Sequence, residues 1–245
     1  MRKVALVTGG AVRLGRAVTL GLAEAGYDLM IHYHSSQGPA RETAREVEAL
    51  GRKACTVRAD LSGGADVGRV VDAVAEAYGR LDLLVNGAAS FEQADLLDVD
   101  EEAWDRVMAT NLKGPFLLVR AAASLLRDSR GSIVNMVDLS AFQPWIRYPH
   151  HGVSKAGLMH LTRVLARVMA PHVRVNAIAP GAVLPPDDFD EDDRKREVAR
   201  TPVGHLGSPD DVVRTVLFLA ASPFITGEAV VVDGGRSLDG PSRGG

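Results

Sequence analysis

The chain contains one cysteine, Cys55, and therefore no internal disulfide. With no second Cys at metal-ligand spacing, it suits a reducing cytoplasm, and packing within a strand is its expected role. Apolar runs of the ~20 residues needed to cross a bilayer are also missing. The opening "MRKVALVTGGAV" imitates a signal peptide, but its apolar run breaks at Gly9, Gly10 and Arg13, so strand then turn is the expected structure. Basic excess is absent too: the formal net charge is -3 and the Lys and Arg are scattered, leaving no stripe for nucleic acid. No Pro/Ser/Gly-rich linker divides the chain, which predicts one domain over residues 1–245.

What is present is a regular alternation. Short apolar runs ("VALVT", "YDLMIHY", "KACTVRAD", "LDLLVNG", "GSIVNMV", "VRVNAIAP", "EAVVVDGG") alternate mostly with stretches of helical periodicity such as "RLGRAVTLGLAEAG" and "DVGRVVDAVAEAYG". Continuously apolar strands are buried on both faces, as in a parallel sheet. The prediction is an α/β fold: a single-domain, Rossmann-like, doubly wound parallel sheet of about seven strands, with helices on both faces. Ligands in such sheets bind at the carboxyl ends of the strands. Ser208, Pro209, Asp210 and Asp211 read as a helix cap, a first-turn proline and acids at the positive end of the dipole. Residues 184–205, acidic and then basic after a Pro-Gly turn, fit neither strand nor core helix; they are expected to form a solvated connection or a substrate lid.

"VALVTGGAVRLGRAV" supplies strand, glycine turn and helix in the order that holds a dinucleotide. Gly9 permits the tight turn, Gly15 the close packing of helix and strand, and the helix start offers its amides, Leu14 among them, to a pyrophosphate. The second strand ends "HYHSS", without the carboxylate that binds ribose hydroxyls in many NAD-specific folds. His34, Ser35, Ser36 and Arg13 are instead placed to donate to a 2′-phosphate, which favours NADPH over NADH.

"TGGAVRLG", "ADL" at 59, "VNGAAS" at 85, Asn111, Lys155 and "APG" at 179 together resemble the short-chain dehydrogenase/reductase superfamily over almost the whole chain. Arg13 in a usual glycine position, "HYH", Phe91 after "VNGAAS" and Asp138 in a usual serine position narrow the resemblance to pteridine reductases, NADPH-dependent enzymes that reduce dihydropterins and related folates. The resemblance implies that Asp60 and Leu61 flank adenine, that Asn86, Gly87 and Ala88 line the cofactor, and that Lys155 holds the nicotinamide ribose. It further implies that Asn111 kinks its helix and supports a proton-relay water, and that Pro180 and Gly181 approach the nicotinamide. Phe91 would sandwich the pterin, and Arg13 would touch both phosphate and substrate.

One residue departs from the superfamily pattern. His151 stands four residues before Lys155, where a tyrosine normally donates the proton. Imidazole has an ordinary pKa of ~6.5, and nearby cations would leave it neutral and a weak acid. Asp138, thirteen residues earlier, offers a carboxylate that draws a proton back toward the ring. The expectation is that Asp138, directly or through water, protonates a C=N nitrogen while His151 relays protons or shapes the pocket. Tyr148 lies one turn before His151 on the same face and is a candidate stand-in donor, but Pro149 pushes it from helical geometry and leaves its hydroxyl direction open; it is counted among the candidate substrate-binding residues.

Two other readings remain open: reduction of another carbonyl or imine, and an NADPH-binding sensor that has lost its proton donor. His150, His160 and the remaining histidines lack HxxxH or HExxH spacing, so no metal site is expected. The partner is a small molecule, with pterin or folate suspected. The apolar excess of "NLKGPFLLVRAAASLLRD" and "SKAGLMHLTRVLARVMA" fits a homotetramer or homodimer, or simple packing on the sheet.

Overall fold

The computed structural model describes residues 2–185 and 189–238. Its strands are β1 (Val4–Thr8), β2 (Asp28–Tyr33), β3 (Ala54–Arg58), β4 (Leu83–Asn86), β5 (Ser132–Met136), β6 (Arg174–Pro180) and β7 (Ala229–Val232). Helices α1 (Arg13–Glu24), α2 (Gln37–Ala49), α3 (Gly64–Tyr78), α4 (Glu101–Met108), α5 (Gly114–Asp128), α6 (Pro149–Met169), α7 (Glu191–Ala199) and α8 (Pro209–Ala221) lie between them. All strands are parallel, in the order β3-β2-β1-β4-β5-β6-β7. The seven-stranded doubly wound sheet expected from the sequence is thus the fold.

Alternation within the apolar runs divides the core. Ala5, Val7, Leu29, Ile31, Leu83 and Val85 face Val18, Leu22, Val212 and Val216 of α1 and α8. Leu6, Met30, Leu84 and Ile133 point the opposite way, toward Val67, Val70, Leu118 and Leu165 of α3, α5 and α6. Central strands are buried throughout, whereas edge strands β3 and β7 are only partly covered. Cys55 packs in β3, half-buried. At α8, Ser208 forms a capping box with Asp211 and Pro209 opens the helix, as its sequence requires.

Within the segment 184–205, expected to be a solvated connection or lid, residues 186–188 lie outside the described residues and Glu191–Ala199 is a helix, α7. None of its residues is buried. Its stability comes from its ends and flanks: Asp190 and Asp193 make a capping box, acids fill the first turn, and Glu197 pairs with Arg236 at 2.7 Å.

The winding reverses between β1 and β4, and that is where the backbone is most crowded. Thr8 Oγ1 accepts from the amides of Gly87 (2.9 Å) and Ala88 (3.1 Å), drawing the β4 tip onto β1. Gly9 has φ +65°, and a Cβ there would meet the Ala88 backbone at 3.1 Å. A Cβ on Gly15 would lie 2.0 Å from the Gly9 carbonyl oxygen, so the turn and the start of α1 fit only without one. Gly15→Ala is therefore expected to destabilise the fold by ~1–3 kcal/mol, whereas Gly68→Ala, with open space around it in α3, should stabilise by ~0.5–1 kcal/mol; urea denaturation of both variants checks the contrast.

Candidate active site

A cleft of about 1290 Å³ opens at the carboxyl ends of β1, β2, β3 and β4. Gly9, Arg13, Leu14 and Gly15 form its floor, His34, Ser35 and Ser36 one rim, Asp60 and Leu61 another, and Gly87 and Ala88 the β4 wall. Eleven of the residues expected around a dinucleotide therefore do converge on one cleft. The far wall, which sequence reasoning did not anticipate, is polar and comes from Glu101, Glu102, Asp105 and Arg106 of α4 with Thr110 and Lys113.

Four expected cofactor residues, Asn86, Lys155, Pro180 and Gly181, do not line this cleft. Asn86 is buried beneath the wall, where its Nδ2 donates to Asn135 Oδ1 (2.8 Å), and Asn135 in turn donates to Thr162 Oγ1 (2.8 Å). Pro180 and Gly181 end β6 away from this cleft. Gly181 N–H donates to the Val232 carbonyl (2.9 Å), and its missing Cβ would lie 2.7 Å from that of Asp233. The need for glycine at 181 is thus met by packing against the β7 end.

Arg13 is the first residue of α1 yet has φ 49°, in the left-handed region that glycine occupies at little cost. The strained backbone sends its guanidinium across the cleft mouth to the carbonyls of Leu184 (3.3 Å) and Pro185 (3.2 Å). It therefore spans the glycine turn and the segment that follows β6.

Beside the cleft lies a second, more tightly bonded group. The backbone between α4 and α5 widens into a π-turn over Ala109–Lys113, which turns Asn111 inward. Asn111 Oδ1 accepts from Ser90 N (2.7 Å), while its Nδ2 donates to Ser90 O (2.9 Å) and Ser154 Oγ (3.0 Å). Both hydrogens of the amide are thereby used. Ser90 Oγ donates to Glu92 (2.7 Å), whose carboxylate also receives Arg106 (2.8 Å). These two bonds, Arg106 foremost, hold the Glu92 carboxyl down at about 2.

His151 enters from α6, and its Nε2 lies 2.7 Å from Asp138 Oδ2. Its Nδ1 faces the Ser90 carbonyl at 3.1 Å. Asn111 Nδ2 is 3.3 Å from the same nitrogen but directs its hydrogens elsewhere. Both ring nitrogens face acceptors, so a doubly protonated ring beside an ionised Asp138 satisfies every partner. Asp138 also caps the turn Leu139–Ala141, its Oδ1 accepting from the amide (2.8 Å) and hydroxyl of Ser140. Burial alone would raise the Asp138 carboxyl, but the His151 hydrogen bond and the Lys155 charge, with Ser140, hold it below its usual range. Lys155, one turn beyond His151, is buried and donates to Met136 O (2.8 Å). Burial lowers its ammonium, with Asp138 opposing. The Asp138 side chain keeps 20% of its surface exposed against 2% for His151, so the carboxylate is the member of the pair that a ligand can reach.

Phe91 and Tyr148 form the outer edge. Their rings stack at 4.2 Å and 17°, and His151 meets Phe91 edge-on at 4.7 Å. Phe91 remains 55% exposed. Pro149 starts α6 and leaves Tyr148 outside it; the Tyr148 hydroxyl lies 3.3 Å from the Gln93 amide. Among the described residues no group of three or more His, Cys, Asp or Glu side chains is placed to hold a metal ion. No helix there is long and apolar enough to cross a membrane.

The family model described as enoyl-(acyl carrier protein) reductase matches residues 10–237. The chain belongs to the short-chain dehydrogenase/reductase superfamily. This short-chain dehydrogenase/reductase is 35% identical to an L-rhamnose 1-dehydrogenase (NAD(P)(+)) of a Sphingomonas species, over 97% of both chains. It is 36% identical to the 2-dehydro-3-deoxy-D-gluconate 5-dehydrogenase of Escherichia coli, over 95% of this chain and 94% of that one. The solved structure of acetoin dehydrogenase from Enterobacter cloacae superposes with a TM-score of 0.91 at 31% identity, covering 100% and 99% of the two chains.

Sequence reasoning about this short-chain dehydrogenase/reductase gave Ser90 no role, although its backbone and hydroxyl link Asn111, His151 and Glu92. Its place between "VNGAA" and Phe91 was the available signal. Asn111→Ala leaves the Ser90 amide without its acceptor, so a loss of ~1–3 kcal/mol is expected in chemical denaturation. Because Asp138 and Glu92 both sit below their ordinary values when folded, the stability they contribute is complete above about pH 4.5. It is lost as the pH falls through their folded values. Denaturation midpoints between pH 7 and 3 measure that decline, and Asp138→Asn should flatten part of it.

Proposed function

We propose that this short-chain oxidoreductase is a reductase that takes hydride from a nicotinamide cofactor and uses the Asp138–His151 pair in place of a tyrosine to deliver the proton. The observation that carries this reading is the 2.7 Å contact between Asp138 Oδ2 and His151 Nε2, with the carboxylate on the accessible side. The residues present fit the cofactor: the turn at Gly9 and Gly15 admits no Cβ, and the amides at the start of α1 open onto a cleft of about 1290 Å³. When bound there, the nicotinamide supplies the hydride. Gly9, Arg13, Leu14 and Gly15 would hold its phosphates, Asp60 and Leu61 its adenine, and Lys155 its ribose. His34, Ser35 and Ser36 present donors without a carboxylate, which favours NADPH over NADH; the relative named for NAD(P)(+) is compatible with either.

Negative charge develops on the substrate heteroatom as hydride arrives. His151, doubly protonated, passes its Nε2 proton to Asp138, and Asp138 Oδ2 passes it to that atom directly or through water. The ring then regains a proton from solvent through the same carboxylate. His151 holds the Asp138 carboxyl low in the resting site, and the proton shared across their 2.7 Å contact offsets part of the cost of protonating it. Asn111 and Ser90 fix the far side of the imidazole, so the pair is oriented before substrate enters.

Such a donor is weak for a ketone and adequate for a more basic C=N nitrogen. With the Phe91 and Tyr148 rings at the edge, it supports a flat heterocycle of the dihydropterin or dihydrofolate class as substrate. A second reading, reduction of another carbonyl, is favoured by the sugar and acetoin specificities in the relatives' names and fits them better. Half-exposed Phe116, Val153, Val164 and Val168 on α5 and α6 fit a homodimer or homotetramer.

An anaerobic NADPH-oxidation screen with dihydrobiopterin, dihydrofolate, sugar lactones and diketones separates the two substrate readings. Asp138→Asn should cut turnover by roughly 10²- to 10⁴-fold with cofactor affinity nearly intact, and unchanged turnover rejects the relay. His151→Tyr should raise carbonyl reduction more than dihydropterin reduction, read as kcat/KM for each substrate.

A further inference from the structure

His32 lies behind the glycine turn and takes no part in the relay. It belongs to β2, is 2% exposed, and bonds to two segments of the cleft besides its own. Its Nδ1 receives the Gly9 N–H at 3.2 Å, its carbonyl receives the Gly10 N–H at 3.1 Å, and its Nε2 lies 3.1 Å from the Ala59 carbonyl. An amide N–H only donates and a carbonyl only accepts, so a single arrangement of the ring satisfies both neighbours: hydrogen on Nε2 and a lone pair on Nδ1.

We infer that His32 positions the glycine turn for nucleotide binding through its Nδ1 lone pair, and that the turn loosens when that nitrogen takes up a proton. The inference rests on the nucleotide reading of the cleft. The ring joins the turn before α1 to the β2 tip that leads to His34 and to the β3 tip that leads to Asp60. Protonation would set an N–H against the Gly9 N–H, donor against donor. Gly9 has little freedom to yield, since it sits at φ +65° against the Ala88 backbone while its own carbonyl abuts Gly15. Displacing it moves the start of α1, whose amides face the cleft.

The groups around the ring set the direction of its titration. Burial disfavours the imidazolium, the Ala59 hydrogen bond opposes that, His34 just past the end of β2 adds to it, and Asp60 beyond β3 opposes it; the net shift is downward. The β1 side presents the uncharged Gly9 amide. His32 is therefore neutral at pH 7 and takes up its proton only below the ordinary histidine value of ~6.5. Its hold on the turn is lost as the pH falls.

Two measurements test this. In the wild-type full chain without nucleotide, ¹⁵N NMR of the assigned His32 ring should show hydrogen on Nε2 and a bare Nδ1, with titration below that of an exposed histidine; the opposite tautomer, or titration at the ordinary value, overturns the inference. Calorimetric titration with NADP⁺ from pH 8 to 5 then compares wild type with His32→Gln, whose amide does not titrate. Binding by the variant should be roughly 3- to 10-fold weaker at pH 8, the worth of about one hydrogen bond, and the ratio should close toward one on acidification. The 2′-phosphate is common to both measurements, and repeating the comparison in a His34→Gln background removes any contribution from that neighbour. A ratio that stays flat while wild type binds tightly overturns the role of His32 alone. Failure of wild type to bind NADP⁺ or NAD⁺ at any pH overturns the nucleotide reading, and this inference with it.

Discussion

The close approach of β1 and β4 is the constraint on which the rest of the molecule depends. Where the winding reverses, one hydroxyl, Thr8 Oγ1, accepts two successive amides, and the adjoining turn has no space for side chains at Gly9 or Gly15. That crowding does two things. It opens the cleft above the strand ends, and it sends the chain beyond Ala88 outward toward α4 and α6, where Asn111 takes hold of both backbone groups of Ser90. The cleft and the bonded group beside it therefore share one anchor.

The second organising feature is a trade of one acid for a pair. A phenol can meet substrate and ribose lysine by itself; an imidazole at position 151 is buried, with its nitrogens directed at Ser90 and Asp138 rather than at the cleft. In the proposed relay the proton passes through the carboxylate, which is the exposed partner. The same carboxylate caps the turn at Ser140, so its orientation is fixed by local backbone as well as by the ring. Burial raises the cost of its charge while His151, Lys155 and Ser140 more than recover it.

Much of this was legible in the chain. Uninterrupted apolar runs can be accommodated only where helices cover both faces of a sheet, and glycines at 9 and 15 between strand and helix leave few alternatives to a ligand turn. The resemblance that put Asp138 in the superfamily's serine position and His151 in its tyrosine position made their meeting foreseeable, and they do meet. Less was legible where a polar side chain chooses among several partners. Asn86 turns to Asn135 beneath the wall, Gly181 answers to Asp233 on another strand, and α7 forms from its end caps without a buried face. Ser90 and His32 gave almost no signal, since a serine in a loop and a histidine in a strand are common.

The sequence by itself determined the layering, the strand count and the chemistry-bearing residue types, because periodicity and turn residues act through local geometry and burial. Only the tertiary structure decided which nitrogen of each histidine meets which group, which of Asp138 and His151 keeps accessible surface, and which neighbours crowd each glycine. Those outcomes depend on contacts between residues tens of positions apart, whose distances no local pattern encodes.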